Sequence, residues 1–246
     1  MGSIRILSRI LRIRVRLHYT WFFVIVVMAA AVVTQFSMIY PLWQRIILGV
    51  VASFLFLLTV SIREFVLSYI ATRKGIRVES ITLFAFGGLF QVDRDTTTPA
   101  LELLLAALGL LFDLTMAGVL AVVYFVLVQT GNIMVDVLVQ WLAFIWFMLA
   151  LFHFVPGYPL DGGRALRALF WRLTDSYEKA TRLAGWTGWG IGLVITIGGI
   201  LLLAITREWF AGAFLVAVGL ILQNAATRGR HQVRENSVSN VKEQNG

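Results

Sequence analysis

Two adjacent charges, Arg63 and Glu64, sit inside an apolar run that spans residues 46–72 of this 246-residue chain. A charge at the bilayer centre costs about 3 kcal/mol or more on insertion scales, so a pair held there marks a site. Three more residues could join it. Asp113 lies within the apolar run 101–129. His153 stands just before Pro156, and Asp161 belongs to the stretch "PGYPLDGGRALRALFW". The chain has three histidines (His18, His153, His231) and no cysteine. Disulfides, thiolate metal sites and thiol nucleophiles are therefore excluded. His18 falls at a predicted interface and His231 in the tail, each without a plausible ligand partner. Glu64 reads either as a general base or as an ion-pair partner. Asp161 reads as a helix N-cap, as a partner of Arg63, or as both. His153 completes a set of one imidazole and two carboxylates with Glu64 and Asp161, which some metals accept. Otherwise it is an ordinary polar residue at a helix break, and Arg63 competes for the same carboxylates.

These residues need elements to position them. The chain is 59% hydrophobic and 14% charged, a composition that fits several membrane spans and not a soluble domain. Six apolar runs, near 19–38, 46–72, 101–129, 133–155, 183–205 and 208–226, are each about 20 residues or longer. The expectation is an all-α polytopic membrane protein of about six transmembrane helices. A small β-hairpin is expected between the second and third, where "GIRVESITLFAFGGLFQV" alternates β-branched and aromatic residues around Gly87-Gly88. Three regions follow: a basic N-terminal segment (1–18), the membrane domain (19–226) and a polar, disordered tail (227–246). With the N-terminus inside, eighteen basic residues fall in inner segments and two, Arg45 and Arg207, in outer ones. That asymmetry predicts both termini in the cytoplasm. It also explains the net charge of +8 without nucleic acid, for which no reader motif is present. Tryptophans 21, 43, 171 and 209 fall near span ends, as an aromatic belt requires. Glycines 185, 188, 190, 192, 198 and 199 suit close helix packing, within the chain or in an oligomer.

On a helix, residues four apart share a face. The sequence H-E-x-x-H uses this to hold zinc with two imidazoles while the Glu acts as base on the metal-bound water. The corresponding frame here is "REFVL", residues 63–67, which keeps the Glu and neither imidazole. Its surroundings say more. "GIRVESITLFAFGG" downstream and "HFVPGYPLDGGRALRALFW" later resemble the site-2 protease family of intramembrane zinc metalloproteases, in order and spacing, from about Arg14 to Arg172. The resemblance implies that Glu64 occupies the general-base position, that Arg63 and Leu67 occupy the two histidine-ligand positions, and that Asp161 is the third ligand. His153 falls where the family has the Asn of N-x-x-P. Asp113 falls where Asn is common, and Gly109-Leu110 replaces a Gly-Pro. The family's hairpin implies substrate or partner binding along Ile81, Leu83, Phe84, Gly87 and Gly88; a plug of the membrane face is the other reading.

Zinc catalysis needs three protein ligands and an open position. Leu67 cannot coordinate a metal, and Arg63 stays protonated. The family uses zinc, yet no cofactor is expected in this chain. The expectation is a pseudoprotease: a degenerate site, no cutting, and a transmembrane protein or peptide bound in the old groove. Arg63 should lie within salt-bridge distance of Asp161, Glu64 or both. Two alternatives stay open. One is an active endopeptidase with metal held by Glu64, His153 and Asp161. The other is a transporter or channel using Arg63, Glu64 and Asp113, for which no inverted repeat is visible. A bacterial or archaeal cytoplasmic membrane is the expected location.

Overall fold

The computed structural model describes residues 14–17, 20–35, 40–84, 87–92, 96–206 and 208–244. In chain order the elements are β1 (Arg14–Leu17), α1 (Thr20–Gln35), α2 (Leu42–Arg73), β2 (Val78–Phe84), β3 (Gly87–Val92), α3 (Pro99–Leu127), α4 (Ile133–Phe154), α5 (Asp161–Thr174), α6 (Tyr177–Thr206) and α7 (Trp209–Gln244). The protein is largely helical, and five of its helices are long and apolar enough to cross a membrane: α2, α3, α4, α6 and the first 21 residues of α7. It is an integral, multi-pass membrane protein.

Of the six expected spans, five are long and apolar enough among the described residues. The first apolar run forms a helix of only 16 residues, about 24 Å at 1.5 Å per residue, against the ~30 Å of a hydrocarbon core. Residues 36–38, which the sequence reading had included, lie outside the described residues. The run also ends in polar Thr34 and Gln35, and the Thr34 hydroxyl donates back to the Ala31 carbonyl at 2.8 Å. A second difference is the tail. It is helical to Gln244 rather than irregular, because no proline or glycine after Gly229 interrupts the register until Gly246. Most of the basic N-terminal segment lies outside the described residues, as do the side chains of Ile81, Leu83, Phe84, Gly87 and Gly88.

The chain divides into two compact units, Met1–Thr97 with Leu111–Ala150, and Thr98–Leu110 with Leu151–Gly246. In the first, strands order β1-β2-β3. β1 runs parallel to β2 (Arg14 opposite Ser80, Leu17 opposite Leu83), a strand whose signal is the alternation of apolar residues and arginines in the basic segment. β2 and β3 are antiparallel, Ile81 opposite Phe90 and Phe84 opposite Gly87. α1 packs on α2 where Gly49 admits the Ala29 backbone, and the Ser53 hydroxyl bonds the Gly49 carbonyl at 2.8 Å. Trp146 of α4, fully buried, meets Phe56 of α2 at 5.9 Å and Phe112 of α3 at 6.0 Å between centroids. Those tilted contacts tie three helices together.

In the second unit α6 and α7 are antiparallel neighbours joined by small residues. A Cβ on Gly192 would strike the Gly219 carbonyl and Gln223, and one on Gly199 would strike the Gly212 carbonyl. Gln223 donates to the Thr196 hydroxyl at 2.9 Å across the same seam. Part of the glycine stripe thus serves packing inside the chain, while Gly190 and Gly198 face open space. α3 begins at Pro99, whose missing N–H suits a first helical position. Thr98 caps it by accepting from the Leu101 amide at 3.3 Å.

Candidate functional site

α2 carries the central charges of the first unit. Its 32 residues extend roughly 48 Å. Trp43 is exposed near one end and Tyr69 near the other, about 39 Å apart along the axis, which matches a bilayer with its interfacial layers. Tyr69 accepts a hydrogen bond from Arg73 Nε at 2.9 Å, an interfacial anchor of the usual aromatic and basic kind. Arg63 lies six residues inside Tyr69, roughly 9 Å deeper. The buried positions Ala52, Phe56, Val60, Arg63, Glu64, Leu67, Ser68 and Ala71 recur every three or four residues. One face of α2 is therefore protein-facing along most of its length, and the charges lie on it.

The guanidinium of Arg63 is saturated from two sides. Nη1 donates to Glu64 Oε1 at 2.6 Å. Nε donates to Asp113 Oδ1 at 2.6 Å and Nη2 to Asp113 Oδ2 at 3.2 Å. The second contact is a two-pronged carboxylate–guanidinium pair, whose planar geometry lysine cannot copy. Arg63, Glu64 and Asp113 are each at most 2% exposed. Leu67, one turn along, is buried as well and contributes only hydrocarbon. The expected pairing of Arg63 with Glu64 is present. The sequence reading set Asp113 merely beside the site, yet it takes two of the three bonds. A signal was available: an aspartate about halfway along an apolar 29-residue helix needs a partner as much as Arg63 does.

Zinc does not fit the α2 residues. Of the two positions that the sequence resemblance gives to zinc ligands, Arg63 bears a permanent cation and Leu67 a saturated side chain. The guanidinium also lies between the Glu64 and Asp113 carboxylates and sets its positive charge against both. What this arrangement does chemically is lock α2 to α3.

The second unit holds His153 and Asp161. Both are buried, and one ligand-capable atom of each lies within 4.8 Å of the other. Asp161 is not the N-cap expected from sequence. Leu160 takes that position, without a side-chain cap bond. Asp161 is the first helical residue, where a carboxylate suits the helix dipole, and it accepts from Arg164 Nη1 at 3.4 Å. The preceding loop is held by a cluster that sequence reasoning missed. Arg167 donates through Nε to Glu102 Oε1 at 2.7 Å, and its Nη2 bonds the same oxygen. Its guanidinium also stacks over Tyr158 at 4.9 Å and Tyr177 at 5.1 Å. Burial works against the Arg167 charge, but the Glu102 carboxylate outweighs it and holds the group protonated above the usual arginine range. Burial raises the Tyr158 hydroxyl's pKa, with Arg167 opposing. Glycines make room. A Cβ on Gly163 would collide with the Gly157 carbonyl carbon, one on Gly188 with the Tyr158 carbonyl, and one on Gly229 with the Tyr158 ring.

No family model matches the chain. Known proteins do. It is 34% identical over 199 residues to "Putative zinc metalloprotease sll0528" of Synechocystis sp., covering 77% of this chain and 50% of that one. It is 31% identical over 183 residues to "Putative zinc metalloprotease Rip3" of Mycobacterium tuberculosis, covering 74% and 45%. Among solved structures, the site-2 protease from Methanocaldococcus jannaschii superposes with a TM-score of 0.68 at 26% identity, over 93% of this chain and 95% of that one. The chain spans about half the length of the sequence relatives it matches.

Proposed function

The chain belongs to the site-2 protease family, and from that premise we propose that it is a member without proteolytic activity that holds a transmembrane segment instead of cutting it. One observation carries this reading. The guanidinium of Arg63, at the family's first histidine-ligand position, engages both Glu64 and Asp113, so the general-base carboxylate is bound to a cation of the protein's own. Leu67 at the second ligand position supports it. The extended partner segment is proposed to pair with β3, because β1 lies on the other side of β2 and leaves β3 at the sheet edge; strand addition at such an edge is a common peptide-recognition mode. Both termini are proposed to be cytoplasmic, on the asymmetry of basic residues, with α1 as a sixth, short crossing in a bacterial or archaeal cytoplasmic membrane.

The test joins metal analysis to cleavage. Purified protein should carry well under one zinc per chain, and it should leave reconstituted transmembrane substrates intact while still crosslinking to them. Stoichiometric zinc together with cleavage would overturn the proposal. One observation favours a second reading, an active enzyme with unorthodox ligation: His153 and Asp161 are buried with ligand atoms within 4.8 Å. The engagement of Glu64 by Arg63 counts against it. His153→Ala separates the two, since only the second reading predicts loss of bound metal.

A further inference from the structure

α5 is built inside out. Its buried residues include Asp161, Arg164 and Arg167, while Leu169 and Leu173 are 53% and 71% exposed. A helix with its charges toward the protein and its leucines outward does not face water. The outward face also carries an exposed cation, Arg172. α6 repeats the pattern directly after the turn. Ala180, Thr181, Ala184 and Gly188 are buried, and the opposite face presents Lys179, Arg182, Leu183 and Trp186, all exposed. Spacings of three, four and seven residues place those four on one stripe. The corner is held by the T-shaped pair Trp171–Tyr177, 4.9 Å between centroids, and by Asp175 in the left-handed region at φ 48°.

Cations interleaved with large apolar residues on an exposed face suit the boundary between headgroups and acyl chains, with the basic stems reaching out to phosphate. Acidic residues at the same corner are Asp175, exposed, and Glu178, half-buried. Against Arg172, Lys179 and Arg182 they leave one net positive charge. Trp186 lies seven residues beyond Lys179, about 10 Å deeper along the helix, among acyl chains when Lys179 is at the headgroups. We propose that the α5–α6 corner is a binding surface for anionic phospholipid, with Arg172, Lys179 and Arg182 on the phosphates and Leu169, Leu173, Leu183 and Trp186 in the chains.

The test uses the full chain in liposomes of phosphatidylcholine containing a minor fraction of phosphatidylglycerol. One net cation near the surface corresponds to about a fivefold preference for the anionic lipid. Phosphatidylglycerol brominated on its acyl chains should quench tryptophan fluorescence more than brominated phosphatidylcholine, and the excess should fall in Trp186→Phe, with Trp171 and Trp189 reporting the remainder. The triple variant Arg172→Gln, Lys179→Gln, Arg182→Gln should lose the preference and its salt sensitivity. If that variant does not fold, the Trp186→Phe comparison on otherwise native protein decides alone. Equal quenching by the two lipids, or an excess unchanged by Trp186→Phe, overturns the proposal and leaves the surface to an acidic protein partner.

Discussion

Replacing Arg63 with methionine isolates the charge cluster, because the side chain keeps most of its volume and loses its cation. Breaking a buried pair costs about 3–5 kcal/mol, chiefly because the surviving charge is left uncompensated. Here the guanidinium makes bonds of 2.6, 2.6 and 3.2 Å to two carboxylates. A charge-assisted hydrogen bond contributes about 1.5–3 kcal/mol in soluble proteins, but polar contacts inside membranes often measure well below that. The estimate for Arg63→Met is therefore about 3–5 kcal/mol rather than the sum of three bonds. Adding Asp113→Asn removes one of the two stranded carboxylates and should recover roughly half of the loss. Adding Glu64→Gln as well should bring stability to within about 1 kcal/mol of the starting protein, since an uncharged replacement of a buried ion set is often neutral. Unfolding in mixed micelles, followed by tryptophan fluorescence, reads all three variants. The reasoning fails if Arg63→Met costs under about 1 kcal/mol, the scale of an ordinary surface change. It also fails if the losses add without coupling, because residues sharing one ion network couple by about 0.5–3 kcal/mol.

Arg63→His with Leu67→His and Asp113→Asn should gain zinc affinity, since it removes the competing cation and its counter-ion while Glu64 remains; calorimetry with zinc on the folded triple variant is the check, and a well-folded protein with no affinity would argue against the inherited geometry. Arg167→Lys should destabilise by about 2–3 kcal/mol through loss of a doubly bonded, stacked guanidinium, whereas Arg172→Lys, exposed on the same helix, should fall within about 0.5 kcal/mol. Gly229→Ala should lower Tm in the native background and cost less when Tyr158→Ala is already present, because the three atoms nearest the added methyl all belong to that ring. Cysteine placed at the exposed positions Gln129 and Arg228 should label from opposite faces, with Gln129→Cys reached from outside the cell; labelling of both from one side would refute the topology.

Much of this protein was readable from sequence because lipid simplifies the code. In hydrocarbon every backbone group must be satisfied within its own segment. Long apolar runs therefore had to be helices, and α2, α3, α4, α6 and α7 follow from composition and length. The residues at 63 and 67, an arginine and a leucine, likewise sufficed to show that neither position can ligate zinc, since ligation is a property of the side chain itself. The first run, residues 19–38 by hydropathy, is a helix over Thr20–Gln35 among the described residues, since hydropathy does not see where a helix ends. Partnership could not be read. Arg63 and Asp113 are fifty residues apart and belong to different spans. Which acidic residue meets the guanidinium depends on how α2 and α3 rotate about their axes, and that is set by packing around Phe56, Phe112 and Trp146. The same holds for Glu102 and Arg167, sixty-five residues apart. β1 escaped notice because its arginines were read as a charge signal, although Leu11 to Leu17 alternate apolar and basic residues at the period of a strand, and they pair only beside β2. Sequence determines which groups must find partners in a medium without water; tertiary packing alone decides which partners they find.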